Sequence, residues 1–164
     1  MSRTKTVSQS VVIDAPPEVV FAAVSDPTQT GRWSPENRGA RLDGDGELAV
    51  GSTFVGRNRR GWMRWVTRCR VTAFEPASRF AFDVEAIGVR RPVLKAPIAS
   101  WSYDLTPDGG GTRVVETWVD GRSWGDRGAA LFDKVATRST FAEFNTRNIR
   151  RTLDQLKQTL ESRG

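Results

Sequence analysis

The sequence predicts an α+β fold: an antiparallel sheet of about six to seven strands, packed on one long C-terminal helix, with two short helices after the first strand. Three observations carry this. Thr140 to Glu161 has a single apolar stripe, Ala142, Asn145, Ile149, Leu153, Leu156 and Leu160, at steps of three or four, with Arg147, Arg150, Arg151, Asp154 and Lys157 off it. At about 1.5 Å per residue that helix is roughly 33 Å long, so its stripe needs one large partner surface. Most of the intervening chain alternates with period two, the mark of half-buried antiparallel strands.

Thr4 to Asp14 opens the chain as a strand, with Val7, Gln9, Val11 and Ile13 on one face. Ala15-Pro16-Pro17-Glu18 starts a helix, since proline suits a first turn and an acid suits the positive end of the dipole. Ser25-Asp26-Pro27 stops it, and Gln29 to Asn37 makes a second short helix or turn with Trp33 inward. Strands are then expected at Ala40–Leu42 and Glu47–Val50, around the turn Asp43-Gly44-Asp45-Gly46. In Thr53–Arg60, Phe54, Gly56 and Asn58 face one way. In Trp62–Phe74, Met63, Trp65, Thr67, Cys69 and Val71 oppose Arg64, Arg68 and Arg70. Arg79–Ala86 turns Phe80, Phe82 and Val84 inward, and Ile98–Thr106 presents Trp101, Tyr103 and Leu105. Thr112–Asp120 is the last strand. Its facing stays open, because Val114, Glu116 and Trp118 compete with Val115, Thr117 and Val119. Thr140-x-x-Glu143 reads as a capping box for the final helix. Two connections exceed what hairpins need: Gly88 to Pro97, and Gly121 to Ser139, the latter holding a short helix with Trp124, Leu131, Phe132 and Val135. The phase of the C-terminal stripe does not run back through this segment, so a break is expected near Thr137 to Thr140, with the segment before it acting as a flap.

Composition sets limits. A chain of 164 residues is one domain by default, with residues 1–4 as a flexible tail. Apolar residues at 38% and charged residues at 27% fit a globular protein. The single cysteine excludes an internal disulfide, which suits a cytoplasmic location. No apolar signal segment opens the chain, and the longest apolar run, Val19 to Val24, is too short for a transmembrane span. The net charge of +6 comes mostly from arginine. Arg57, Arg59, Arg60, Arg64, Arg68 and Arg70 with Trp62 could grip phosphates, but no nucleic-acid-binding signature accompanies them, so nucleic acid is not the expected partner. Histidine is absent, which removes the commonest general base and the commonest metal ligand. No metal and no cofactor is expected, and a phosphate-loop or dinucleotide fingerprint is missing.

Ile13-Asp14-Ala15-Pro16-Pro17-Glu18-Val19-Val20-Phe21, Trp33-Ser34-Pro35-Glu36-Asn37, Gly51-Ser52-x-Phe54-x-Gly56-x-Asn58-Arg59-Arg60-Gly61, Val71-Thr72, Glu75-Pro76 and Arg79-Phe80-x-Phe82 together resemble the polyketide cyclase/dehydrase and lipid-transport-like family of the START-like superfamily, which shares the birch-pollen-allergen fold. The resemblance spans Val7 to Glu161. It implies a single START-like domain with the helix-grip fold, a curved sheet wrapped around the C-terminal helix with a cavity between them. It also implies apolar ligand binding and, in some members, polyketide cyclisation or dehydration. It supplies no universal catalytic motif.

The expected ligand residues are Phe54, Asn58, Trp65, Thr67, Phe82, Trp101, Tyr103, Phe141 and Asn145. Most of them line the inner sheet face; Asn145 interrupts the helix stripe and Phe141 sits at its margin. Two readings share these side chains, a ligand cavity and a filled core. Glu116 and Tyr103 are the candidate catalytic pair if Glu116 faces inward, because a carboxyl in an apolar site exchanges protons near neutrality. Cys69 reads as a small buried apolar residue. The leading expectation is a carrier or sensor for a lipid or polyketide-like compound. The alternatives are a cyclase or dehydratase using Glu116 and Tyr103, and an interaction module like the chaperone-activating relatives. A monomer or a homodimer fits either way.

Overall fold

The structure is a computed structural model that describes residues 2–163. Seven antiparallel strands form one sheet: β1 (Thr6–Ile13), β2 (Asn37–Leu42), β3 (Thr53–Arg60), β4 (Met63–Glu75), β5 (Arg79–Gly88), β6 (Leu94–Asp108) and β7 (Gly111–Asp120). Their spatial order is β1-β7-β6-β5-β4-β3-β2, so every neighbour from β2 to β7 is also a sequence neighbour and β1 closes the far edge. Helix α1 (Pro17–Val24) and a 3₁₀ turn (Pro27–Arg32) follow β1; α2 (Asp126–Thr137) and α3 (Phe141–Glu161) follow β7. This is the helix-grip fold.

Local chemistry explains most boundaries. Pro16 and Pro17 open α1, with Glu18 in its first turn. The capping box is formed: the Thr140 hydroxyl accepts from the Glu143 amide at 3.2 Å, and Glu143 Oε2 accepts from the Thr140 amide at 3.2 Å. Gly109 and Gly110 make the β6–β7 turn with φ of +57° and +88°, the left-handed backbone that a two-residue hairpin of this twist requires. The break between α2 and α3 falls at Arg138, also left-handed at φ +60°. Ile149, Leu153, Leu156 and Leu160 are buried, and α3 lies along β1 and β7. Ile13, Val20, Phe21, Val71, Phe80, Leu105 and Val114 complete the core beneath.

Three expectations are corrected. Glu47–Val50 is not a strand; β2 pairs directly with β3, and the segment between them loops outward. The long Gly88 to Pro97 connection shrinks, because Leu94 and Lys95 already pair with Ile87 and Ala86. Pro97 read as loop from sequence, yet it sits in an irregular stretch of β6 opposite Val84–Ala86, where proline's missing amide costs no ladder bond. The tail over residues 1–4 is not free at Arg3, whose guanidinium binds the carboxylates of Asp120 and Asp126 (3.1 Å each) and the carbonyls of Trp124 (2.7 Å) and Arg122 (2.6 Å); Met1 lies outside the described residues.

Candidate functional site

The inner face of the sheet is built in rows set by strand register. Phe80, Tyr103, Glu116 and Gln9 face one another across β5, β6, β7 and β1; Phe82, Trp101 and Trp118 form the next row toward α2. Asn58 opposes Trp65, and Gly56 opposes Thr67, across β3 and β4. The two rows differ in exposure. Phe80, Tyr103 and Glu116 are buried, whereas Asn58, Trp65, Thr67, Phe82 and Trp101 are only half-buried although they point inward. Cover is therefore incomplete over the β3–β6 part of the concave face.

The facing of β7, open in the sequence, is settled: Val114, Glu116, Trp118 and Asp120 are buried. Glu116 keeps only 3% of its surface exposed. The Tyr103 hydroxyl donates to Glu116 Oε1 at 2.9 Å, and Oε2 has no partner among the described residues. Burial pushes the Glu116 carboxyl up to about 8, against a smaller lowering from the Tyr103 hydrogen bond. Tyr103 is raised too, first by burial and then by the adjacent carboxylate. At neutral pH the pair therefore holds a protonated carboxyl whose second oxygen is unused. Such a group can donate a hydrogen bond, or a proton, to an oxygen placed beside it.

The other expected residues fall into separate groups. Phe54 packs edge-on against Phe82 at 5.3 Å, continuing an aromatic ladder to Phe80, Phe74 and Phe21. Asn58 Nδ2 donates to Thr67 Oγ1 at a long 3.5 Å. Asn145 is buried, and its side chain makes no hydrogen bond among the described residues. Phe141 belongs to another cluster: it meets Phe132 of α2 at 6.0 Å and lies under the Arg122 guanidinium at 4.3 Å. Phe141 thus packs on α2. Phe144 instead stacks under Arg60 at 4.0 Å. Cys69 is buried, and desolvation pushes its thiol up to about 12, so it is a packing residue.

Sequence reasoning missed the network that holds α2 in place. Arg122, with 5% of its side chain exposed, bridges Asp120 (2.8 Å) and Asp133 of α2 (2.7 Å). The second Asp133 oxygen accepts from the Phe141 amide at 3.0 Å, the first turn of α3. Burial opposes the charge on Arg122, but its hydrogen bonds to the two carboxylates raise its pKa above the ordinary arginine range. No spacing rule links residues 3, 120, 122 and 133, and only the fold brings them together.

Two open clefts lie elsewhere among the described residues. One, of about 510 Å³, is lined by arginines at the α3–β3 junction; the other, of about 340 Å³, lies between the Ser25–Asp26 turn and Leu48. None of the nine expected ligand residues lines either cleft. Among the described residues no cluster of acidic or cysteine side chains could hold a metal, and no helix is long and apolar enough to cross a membrane.

Comparison with known proteins agrees with this architecture. A polyketide-cyclase-like protein of Corynebacterium glutamicum, solved by NMR in solution, is 29% identical over 98% of this chain and 94% of its own, with a TM-score of 0.61. A Thermus thermophilus protein is 16% identical, covers 97% of this chain and 99% of its own, and has a TM-score of 0.69. The di-domain aromatase/cyclase StfQ of the steffimycin biosynthetic pathway is 13% identical over 94% of this chain and 44% of its own, with a TM-score of 0.67. No curated protein matches. The family described as polyketide cyclase / dehydrase and lipid transport matches residues 4–161, nearly the whole length, and the chain belongs to that family.

Proposed function

We propose that this protein binds one hydrophobic small molecule, lipid or polyketide-like, in a hollow that the ligand occupies between the sheet and α3, and acts as a carrier or sensor. The observation that supports this best is the half-exposure of inward-pointing aromatics, Trp65, Phe82 and Trp101, beside a core that is otherwise closed. Apolar side chains left accessible on a concave face gain free energy when an apolar ligand covers them, about 25 cal/mol per Å². Glu116 supplies the polar anchor. Its protonated carboxyl, with Oε2 free, suits a carbonyl or hydroxyl oxygen on the ligand. Native mass spectrometry with a fluorescent fatty acid tests the reading. One-to-one retention is expected in the parent protein, with loss in Thr67→Trp, which fills the hollow. A parent protein that retains no apolar mass refutes it.

The Glu116–Tyr103 hydrogen bond favours a second reading, a cyclase- or dehydratase-type enzyme. The Tyr103 proton is engaged by Oε1, so a proton for substrate would come from Oε2, and the carboxylate left behind would be stabilised by the phenol. Glu116→Gln separates the two: binding kept with turnover lost marks an enzyme, whereas a carrier has no turnover to lose.

A further inference from the structure

The 510 Å³ cleft has a different chemistry from the hollow. It is formed where four segments meet: Pro35–Arg38 before and at the start of β2, Arg59–Gly61 at the end of β3, Thr137 at the end of α2, and the face of α3 carrying Phe144, Arg147, Asn148 and Arg151. Positions 144, 148 and 151 are one and two helical turns apart, so they project to one side. Five guanidiniums, Arg38, Arg59, Arg60, Arg147 and Arg151, line it against one carboxylate, Glu36.

Five arginines on the sheet, Arg41, Arg68, Arg70, Arg79 and Arg113, each have a carboxylate within 4.0 Å, whereas Arg57 and Arg64 have none among the described residues but stand singly on the open surface. Of the cleft arginines only Arg60 has one, bound to Glu36 Oε2 at 2.9 Å. Arg59 is anchored through Nε to the Gly61 carbonyl at 2.9 Å, and Arg147 through Nη2 to Ser139 Oγ at 3.2 Å, leaving each fork with spare donors. Arg38 and Arg151 make no side-chain hydrogen bond among the described residues. Arg60 is fixed by stacking over Phe144 (4.0 Å) and Trp65 (5.4 Å), by Glu36 and by the Ala136 carbonyl (3.2 Å). Its Nε and the Asn148 side-chain oxygen Oδ1 are buried without partners among the described residues. The cleft thus concentrates four unmatched positive charges around preorganised donors, more than a single carboxylate would neutralise. Planar guanidinium forks fit phosphate oxygens two at a time.

We propose that this cleft is a binding site for a phosphate-bearing ligand, held by Arg38, Arg59, Arg147 and Arg151 around a fixed Arg60. None of the nine expected ligand residues lines this cleft, and only Trp65 touches it, through Arg60, so the two readings are tested separately. The phosphate can come from a free phosphorylated molecule or from a phospholipid headgroup, and the experiment separates these. Calorimetric titration with inorganic pyrophosphate at low ionic strength should show binding that the double variant Arg59→Ala/Arg151→Ala weakens at least about tenfold, since charged hydrogen bonds are removed. Both side chains are exposed, and a thermal melt confirms that the variant folds. The control Arg41→Ala/Arg113→Ala removes the same charge elsewhere and should shift affinity less than about twofold. Co-sedimentation with vesicles of phosphatidic acid in phosphatidylcholine, abolished by pyrophosphate and by the cleft variant, assigns the headgroup source. Pyrophosphate binding without vesicle binding assigns a free phosphorylated molecule. Equal weakening in the control pair, or no binding of either probe, overturns the proposal.

Discussion

The two halves of the inner sheet face carry the same kinds of residue and behave differently. Toward α1, Phe74 meets Phe21 and Phe80, while Leu105 and Val114 lie in the same buried cluster, and Phe80 retains 1% of its surface. Toward α2, Phe82, Trp101 and Trp65 stay half-exposed. Aromatic density does not distinguish a core from a binding surface. What lies above it does: α1 packs on β5, β6 and β7, and α3 lies along β1 and β7, so Asn58 and Trp65 at the β3–β4 turn end and Phe82 and Trp101 on β5 and β6 stay only partly covered, while Phe54, Cys69 and Val71 are buried. Glu116 stands at the seam, on the closed side by burial and one row from the open side by register.

The largest expected effects test how the halves are held. Arg122→Ala leaves buried Asp133 without its charge partner and Asp120 with Arg3 alone, and should cost about 3–5 kcal/mol, read as a lowered denaturation midpoint. It should also release α2 and raise ligand exchange; a midpoint close to the parent's would deny α2 its structural tie. Phe80→Ala should cost about 3–5 kcal/mol with ligand uptake little changed, whereas Phe82→Ala should cost less than about half of that and weaken uptake strongly. Equal costs at the two phenylalanines would erase the distinction between the halves.

A pH series on Glu116→Gln sharpens the seam. An unfolded glutamate titrates at 4.5, and the folded one at about 8. Between these values the folded protein holds a proton that the unfolded chain has lost. The stability Glu116 contributes is therefore complete below 4.5, falls as the pH rises and is gone above about 8. The glutamine variant escapes that loss, so its melting temperature should gain on the parent's steadily from acid to alkaline buffer; parallel curves would mean that Glu116 is hydrated. The smallest effect is expected from Asn145→Leu, which should alter ligand uptake more than stability, since the Asn145 side chain forgoes no hydrogen bond to the described residues. A large stability change with unaltered uptake would place Asn145 in the closed half.

Much of this was legible in the sequence. Period-two alternation placed β3, β4 and β5 with their facing, and Thr140 with Glu143 marked the start of α3. The facing of Glu116 was not legible, because both phases of β7 are largely apolar; pairing with Tyr103 on one side and Gln9 on the other decides it. Pro97 hid the start of β6, since proline's local signal is that of a loop. The arginine cleft escaped notice because its members lie on three strand or helix ends and one helix face, and Arg59 and Arg60 read as a simple outward stripe.

The grip of Arg3 on Asp120, Asp126 and the Arg122 and Trp124 carbonyls spans 117 to 123 positions of sequence. Arg3 thus ties β1's entry to the start of α2. Trimming the first three residues, or fusing a bulky domain directly to Lys5, should quicken amide hydrogen exchange in α2 while leaving the sheet as it was. A change made near residue 3 would be felt in a helix that begins 123 positions later in the sequence.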